Sequence, residues 1–189
     1  MKRFYQIILI VFTIALSWLG MMIVHEAGHV LGAWTSGGTV SRVVLHPLQF
    51  SWTEVSHNPH PLWEVWAGAL FGVVAPLMAW GLAAWRKASF DYLLRFFAGF
   101  CLLANGAYLG LGVFNQIGDT EELLILGAPP WHLWLFGAVC IPSAFVLWHG
   151  QGPKFGLGKA CGVVCPPHAV GIFALLVIVI LVETLFVLA

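Results

Sequence analysis

Charge is what this chain has least of. Asp, Glu, Lys and Arg make up 8% of its 189 residues, and apolar residues 60%. Average soluble domains carry roughly 25% charged residues. A water-soluble fold of this length could not hide so much apolar surface, so a bilayer has to cover it. Positive charge is neither abundant nor clustered, and the formal net charge is +0. That excludes the basic footprint of a nucleic-acid-binding protein. The chain also lacks internal repeats and low-complexity tracts. No A-x-A cleavage site follows the apolar run behind Lys2 and Arg3. That run therefore reads as a membrane span rather than a signal peptide. Little sequence is left outside the apolar stretches, so residues 1–189 read as a single membrane-embedded domain.

What is present is a series of apolar stretches long enough to cross a bilayer, which takes roughly 20 helical residues. They run from about Phe4 to Trp34, Leu62 to Trp85, Phe96 to Ile117, His132 to Trp148 and Ala169 to Ala189. The expected fold is an all-α polytopic membrane protein of five spans. Many of the ten Trp residues fall towards span ends, as interfacial anchors do. Lys2, Arg3, Arg86, Lys87, Arg95, Lys154 and Lys159 share one side of such a bundle, and Arg42 stands alone on the other. The positive-inside rule then predicts a cytoplasmic N-terminus and an external C-terminus.

Between the first two spans the pattern changes. Thr39 to Leu45 is rich in β-branched residues, His46-Pro47 can turn the chain, and Leu48, Phe50 and Trp52 alternate with polar residues. This is strand periodicity and predicts a short β-hairpin or sheet. Residues 118–130, ending in Pro129-Pro130, read as a second irregular segment.

The first span carries His25-Glu26-Ala27-Gly28-His29. Residues four apart on a helix share one face, about 6 Å apart along the axis. Two imidazoles so placed can hold one tetrahedral zinc ion. Glu26, beside the first ligand, can take a proton from a water that the metal activates. Gly28 leaves space against the helix backbone. In a soluble sequence this motif often means nothing. Inside a bilayer a charged residue costs about 3 kcal/mol, so two His and a Glu at this spacing point to function.

Zinc needs a third protein ligand, with its last position kept for water. Asp119, Glu121, Glu122 and the remaining His are available. Counting 1.5 Å per residue from the cytoplasmic ends, His25 lies about 31 Å along the first span and Asp119 about 34 Å along the third. Asp119 is therefore the expected ligand, with Glu121 the alternative and Glu122 a solvated loop residue. His149 and His168 fall on the opposite side. His46, His57 and His60 sit in the hairpin loop, and His132 is further from the third span. The site is expected nearer the non-cytoplasmic face.

These residues resemble the site-2 protease family of intramembrane zinc metallopeptidases. Phe114-Asn115-Gln116-Ile117-Gly118-Asp119 is similar to a shortened form of that family's asparagine-proline-aspartate-glycine segment. Ala67-Gly68-Ala69-Leu70-Phe71-Gly72 resembles its glycine-containing segment. The likeness covers about residues 4–126, with additional spans over 131–189. It departs at Thr120, where glycine is usual, and in lacking the proline after Asn115. It implies a zinc enzyme that cuts a peptide bond within or beside a transmembrane segment of a membrane-protein or peptide substrate. Glu26 would act as general base and then deliver the proton to the leaving amine, and Asn115 would be a donor to the polarised carbonyl. Asn105 is a second candidate for that donor, although it reads first as an interhelical hydrogen bond.

The competing expectation is a non-enzymatic membrane metal-binding or transport protein, which would not need a Glu beside its ligands in this order. Cys161, Cys165 and His168 lack an evident fourth ligand for a second metal site, and their loop is expected to be cytoplasmic and reduced. Cys101 and Cys140 read as packing residues. Glu54, Glu64 and Glu183 read as carboxylates near the outer boundary. The substrate and the oligomeric state are not written in the sequence.

Overall fold

The structure, a computed structural model, describes residues 2–188. A 34-residue helix, α1 (Lys2–Thr35), leads into a two-stranded antiparallel sheet, β1 (Thr39–Val44) and β2 (Trp52–His57). Then follow α2 (Pro61–Trp85), α3 (Asp91–Gly112), the short α4 (Asp119–Ile125) and α5 (Pro130–Trp148). Two 3₁₀ turns lead to α6 (Pro166–Leu188). Five of these helices are long and apolar enough to cross a membrane, as a multi-pass membrane protein requires. α1 packs on α2, α3 and α6; α3 also packs on α2 and α5.

At 1.5 Å per residue α1 is about 51 Å long, well beyond the roughly 30 Å hydrocarbon core. Its C-terminus closes in a Schellman turn. Gly37 adopts φ +79°, and the Gly38 N–H reaches back to the Ala33 carbonyl at 2.7 Å. The turn sends the chain back along α1. The hairpin tip reaches Trp18, whose ring meets that of Phe50 edge-on at 5.8 Å. Seventeen helical residues separate Trp18 from Thr35, so the hairpin retraces about 26 Å of the helix.

Three expectations need correction. Leu48, Phe50 and Trp52 do not form one strand. Leu48 and Phe50 lie in the connection between β1 and β2 and are exposed, so their alternation reflects an apolar loop beside α1. The third span occupies Asp91–Gly112 rather than 96–117, because the chain turns at Val113 and continues through a left-handed Gln116. Residues 118–130 are not irregular throughout, since α4 forms there on the buried Thr120 and Leu123. Glu183 also differs. It is buried on α6, with neither carboxylate oxygen hydrogen-bonded among the described residues.

The α1–α2 crossing sets the site. A Cβ on Gly28 would lie 2.8 Å from the Gly68 Cα and 2.9 Å from the Phe71 Cβ. One on Gly32 would lie 2.9 Å from the Glu64 Cα. Small residues at this four-residue spacing let two membrane helices approach backbone to backbone. Gly28→Ala should therefore lower stability by about 1–3 kcal/mol through overpacking. Gly81→Ala, where a Cβ meets nothing within 4 Å, should be neutral or mildly stabilising. Thermal midpoints in detergent check this; equal midpoints for the two variants would rule out the close crossing.

Candidate metal centre

His25, Glu26 and His29 are buried on α1 where it faces α2 and α3. His29 fits because α2 has no side chain opposite it: a Cβ on Gly68 would run into the His29 ring. Gly72, one turn on, makes the same room for the side-chain amide of Asn105, 2.9 Å from where its Cβ would be. The glycine-containing segment of α2 is thus a slot for two polar side chains.

Asp119 arrives by a different route from a continuous helix. Gly118 takes φ +56° and ψ −137°, a conformation open chiefly to glycine, and a Cβ there would collide with the Tyr108 hydroxyl. That hydroxyl accepts the Asp119 N–H at 2.9 Å. Thr120 donates to the Tyr108 carbonyl at 3.2 Å and is fully buried. Leu123, also fully buried, packs with Val65, Ala69, Leu109 and Leu133. These contacts pin α4 and present Asp119 to the histidines.

The resulting geometry is a triangle of ligand atoms. His25 Nε2 lies 2.8 Å and His29 Nε2 3.3 Å from Asp119 Oδ2, and the two Nε2 atoms are 3.1 Å apart. Tetrahedral bonds of 2.0–2.1 Å to zinc would place the three about 3.3 Å apart. The tautomers are set from behind. Asn105 Nδ2 donates to the Cys101 carbonyl at 2.9 Å, which leaves its Oδ1 to accept His25 Nδ1–H at 2.7 Å. Glu64 Oε1 accepts His29 Nδ1–H at 2.8 Å. With both Nδ1 protons committed, neutral imidazoles turn two lone pairs on the same point as a carboxylate oxygen. Three electron-pair donors so close in an apolar bundle call for a cation. His25, His29 and Asp119 can hold a metal ion and are the one such group among the described residues.

Asp119 sits outside the spans. Burial alone would raise its carboxyl; with no cation bound and the imidazoles of His25 and His29 protonated, their hydrogen bonds and charge would outweigh this and hold it well below the usual carboxylate range. Partial desolvation at the cavity wall pushes the Glu122 carboxyl up, helped by Glu64 and Asp119 nearby.

The triad opens on a cavity of about 1100 Å³. α1 contributes Trp18 and Met22 to its wall, the hairpin Phe50, Thr53 and Val55, and α4 Glu121 and Glu122. Glu26 lies on this wall, and its Oε2 accepts a hydrogen bond from the Thr53 hydroxyl at 2.8 Å. Glu121 and Glu122 are exposed at the cavity and are not in the triad.

Asn115 is not brought to the site. The turn after α3 leaves it exposed, and it does not line the cavity. Asn105 is the amide that reaches a ligand. Glu64 is buried behind His29, a contact the sequence reading did not include. Its position four residues before Gly68 puts both on the α2 face towards α1, and that spacing was the available signal. Cys161 and Cys165 are exposed and free, and His168 pairs with the Tyr92 hydroxyl at 3.1 Å. No family model, curated protein or solved structure matches the chain.

Removal of Asp119 deletes an oxygen from the triangle. Asp119→Ala should weaken metal binding by more than the 10–100-fold that loss of an outer partner costs. Glu121→Ala should leave it within about twofold. Metal content after dialysis against a chelator decides; the opposite ranking would make Glu121 the ligand.

Proposed function

We propose that the protein is an intramembrane zinc metalloprotease, similar in its chemistry to the site-2 protease family, acting on a peptide bond within or next to a substrate's transmembrane segment. The observation that carries this is the convergence of two imidazole lone pairs and a carboxylate oxygen beside Glu26, on the wall of a large cavity inside a membrane bundle. Two nitrogens and one oxygen suit zinc and leave a coordination position free. Bound there, zinc would supply Lewis acidity to a water and to a scissile carbonyl.

The chain's own residues do the rest. Glu26 accepts the proton of the attacking water and returns it to the leaving amine. Thr53 holds Oε2 of that carboxylate, and Oε1 has no hydrogen-bond partner among the described residues. Asn105 and Glu64 keep the Nδ1 protons of His25 and His29 turned away from the reacting groups. The cavity, at about 1100 Å³, suits a stretch of unwound peptide better than a small metabolite. A membrane helix hides its peptide bonds in its own hydrogen bonds, so it has to unwind before it is cut. A two-stranded sheet beside the cavity offers a strand edge to an unwound segment.

A metal-binding or transport protein has no use for a base held beside the ligands. One pair of variants separates the readings. Glu26→Gln should keep zinc and lose about 10²–10⁴-fold in cleavage of a labelled membrane peptide. His25→Ala should lose zinc and cleavage together. Normal turnover by Glu26→Gln would exclude the mechanism.

The orientation proposed is N-terminus cytoplasmic with the site nearer the other face, on the seven-to-one division of basic residues. A cysteine at Gly37 should then react with an impermeant thiol reagent added to intact cells, and one at Lys87 should not. The reverse labelling would invert the topology.

A further inference from the structure

We propose that β2 and the loop leaving it form a positioning arm: Thr53 orients the carboxylate of Glu26, and Asn58, through Glu64, orients the metal ligand His29. The proposal rests on the metalloprotease reading and extends it to residues outside the His25–His29 motif.

Two carboxylates lie buried at the α1–α2 crossing, Glu26 and Glu64. Each is held on one side by the hairpin region. Glu26 Oε2 accepts from Thr53 Oγ1 at 2.8 Å. Glu64 Oε2 accepts from Asn58 Nδ2 at 3.0 Å, and its Oε1 accepts from His29 Nδ1 at 2.8 Å. A glutamate on a helix has three side-chain torsions, and nothing on α1 fixes those of Glu26. A hydroxyl donated from a separate element removes that freedom. It occupies one oxygen and leaves the other for the proton that moves. Asn58 does the same for Glu64, which then meets His29 at a set angle. An outer partner of this kind orients the imidazole and raises its basicity as a ligand.

The strand is built to do this. Thr53 and Val55 are its half-buried residues, while Trp52 and Glu54 are exposed and pair with each other through the indole N–H at 3.1 Å. Thr53 is placed by its pairing with Val43 in β1. Thr53, Val55 and Asn58 also line the cavity. Whatever occupies the cavity therefore touches the segment that holds the base and the ligand, which couples occupancy to the readiness of the site.

The two halves of the arm make different demands, and one set of variants reads both. Zinc affinity is measured by competition with a colorimetric chelator on the full chain in detergent. Turnover is measured on a single-span peptide labelled at both ends. Glu64→Leu should weaken zinc binding about 10–100-fold, and Glu64→Gln, which keeps an acceptor for His29, should recover most of it. Asn58→Leu should weaken zinc in the same direction. Thr53→Val should leave zinc affinity unchanged and lower kcat about tenfold or more with KM unmoved, and Thr53→Ser should restore kcat. Zinc affinities of Glu64→Leu and Asn58→Leu equal to the parent's would overturn the His29 half. A Thr53→Val enzyme with parental kcat, or a Thr53→Ser enzyme as slow as Thr53→Val, would overturn the Glu26 half. The zinc comparison needs no proteolysis. A parent that binds zinc but cuts nothing would therefore count against the protease reading alone.

Discussion

Three electron-pair donors aimed at one point inside an apolar bundle are the constraint on which the rest of the structure depends. His25 Nε2, His29 Nε2 and Asp119 Oδ2 lie within 3.3 Å of one another. Such a cluster repels itself unless a cation joins it, and it stays in place only if each group is tethered from behind. The tethers are Asn105 for His25, Glu64 for His29, and the pinned start of α4 for Asp119. Each tether in turn needs room at a helix crossing. Gly68 leaves that room for the His29 ring and Gly72 for the Asn105 amide. The small residues of the bundle and its buried polar residues are thus two sides of one packing solution.

The placement of Asp119 shows how a short segment can be made rigid. A seven-residue helix has little stability of its own. Here the chain leaves α3 at Gly112, turns through a left-handed Gln116, and re-enters helix at a glycine that only a positive φ satisfies. Tyr108 then receives the Asp119 N–H on its hydroxyl and the Thr120 hydroxyl on its carbonyl. Leu123 drives the other end of the turn into the apolar core. Thr120 is hydrogen-bonded, fully buried and packed against Gly112.

The hairpin gives the fold its asymmetry. Without it the cavity between α1, α2, α3 and α4 would open directly past Glu26. With it, an apolar loop bearing Leu48 and Phe50 lies along α1 as far back as Trp18, and Thr53 and Asn58 reach the buried carboxylates. A strand pair has backbone hydrogen bonds to spare at its edges, unlike a helix, and its side chains alternate. One face can therefore address the site while the other meets its surroundings.

The sequence by itself determined the membrane class, the five spans, the presence of a β element after the first span, and His25 and His29 as a pair on one helical face that could hold a metal ion. All of these follow from local information: apolar run length, β-branched content, and the four-residue spacing that puts two side chains on one helical face. Asp119 was also legible, although the straight-helix count that pointed to it ran on through a third span that in fact ends at Gly112, seven residues before Asp119. Only the tertiary structure decided that α4 exists, that Leu48 and Phe50 belong to a loop, and that Asn105 rather than Asn115 reaches a histidine. It alone showed Glu64 and Thr53 as partners of the site. These depend on which faces of α2, α3 and β2 meet α1, and on the turn geometry at Gly118. Side chains 35 and 80 residues away from a histidine reach its Nδ1 only after the helices cross, and no local pattern in the chain encodes that distance.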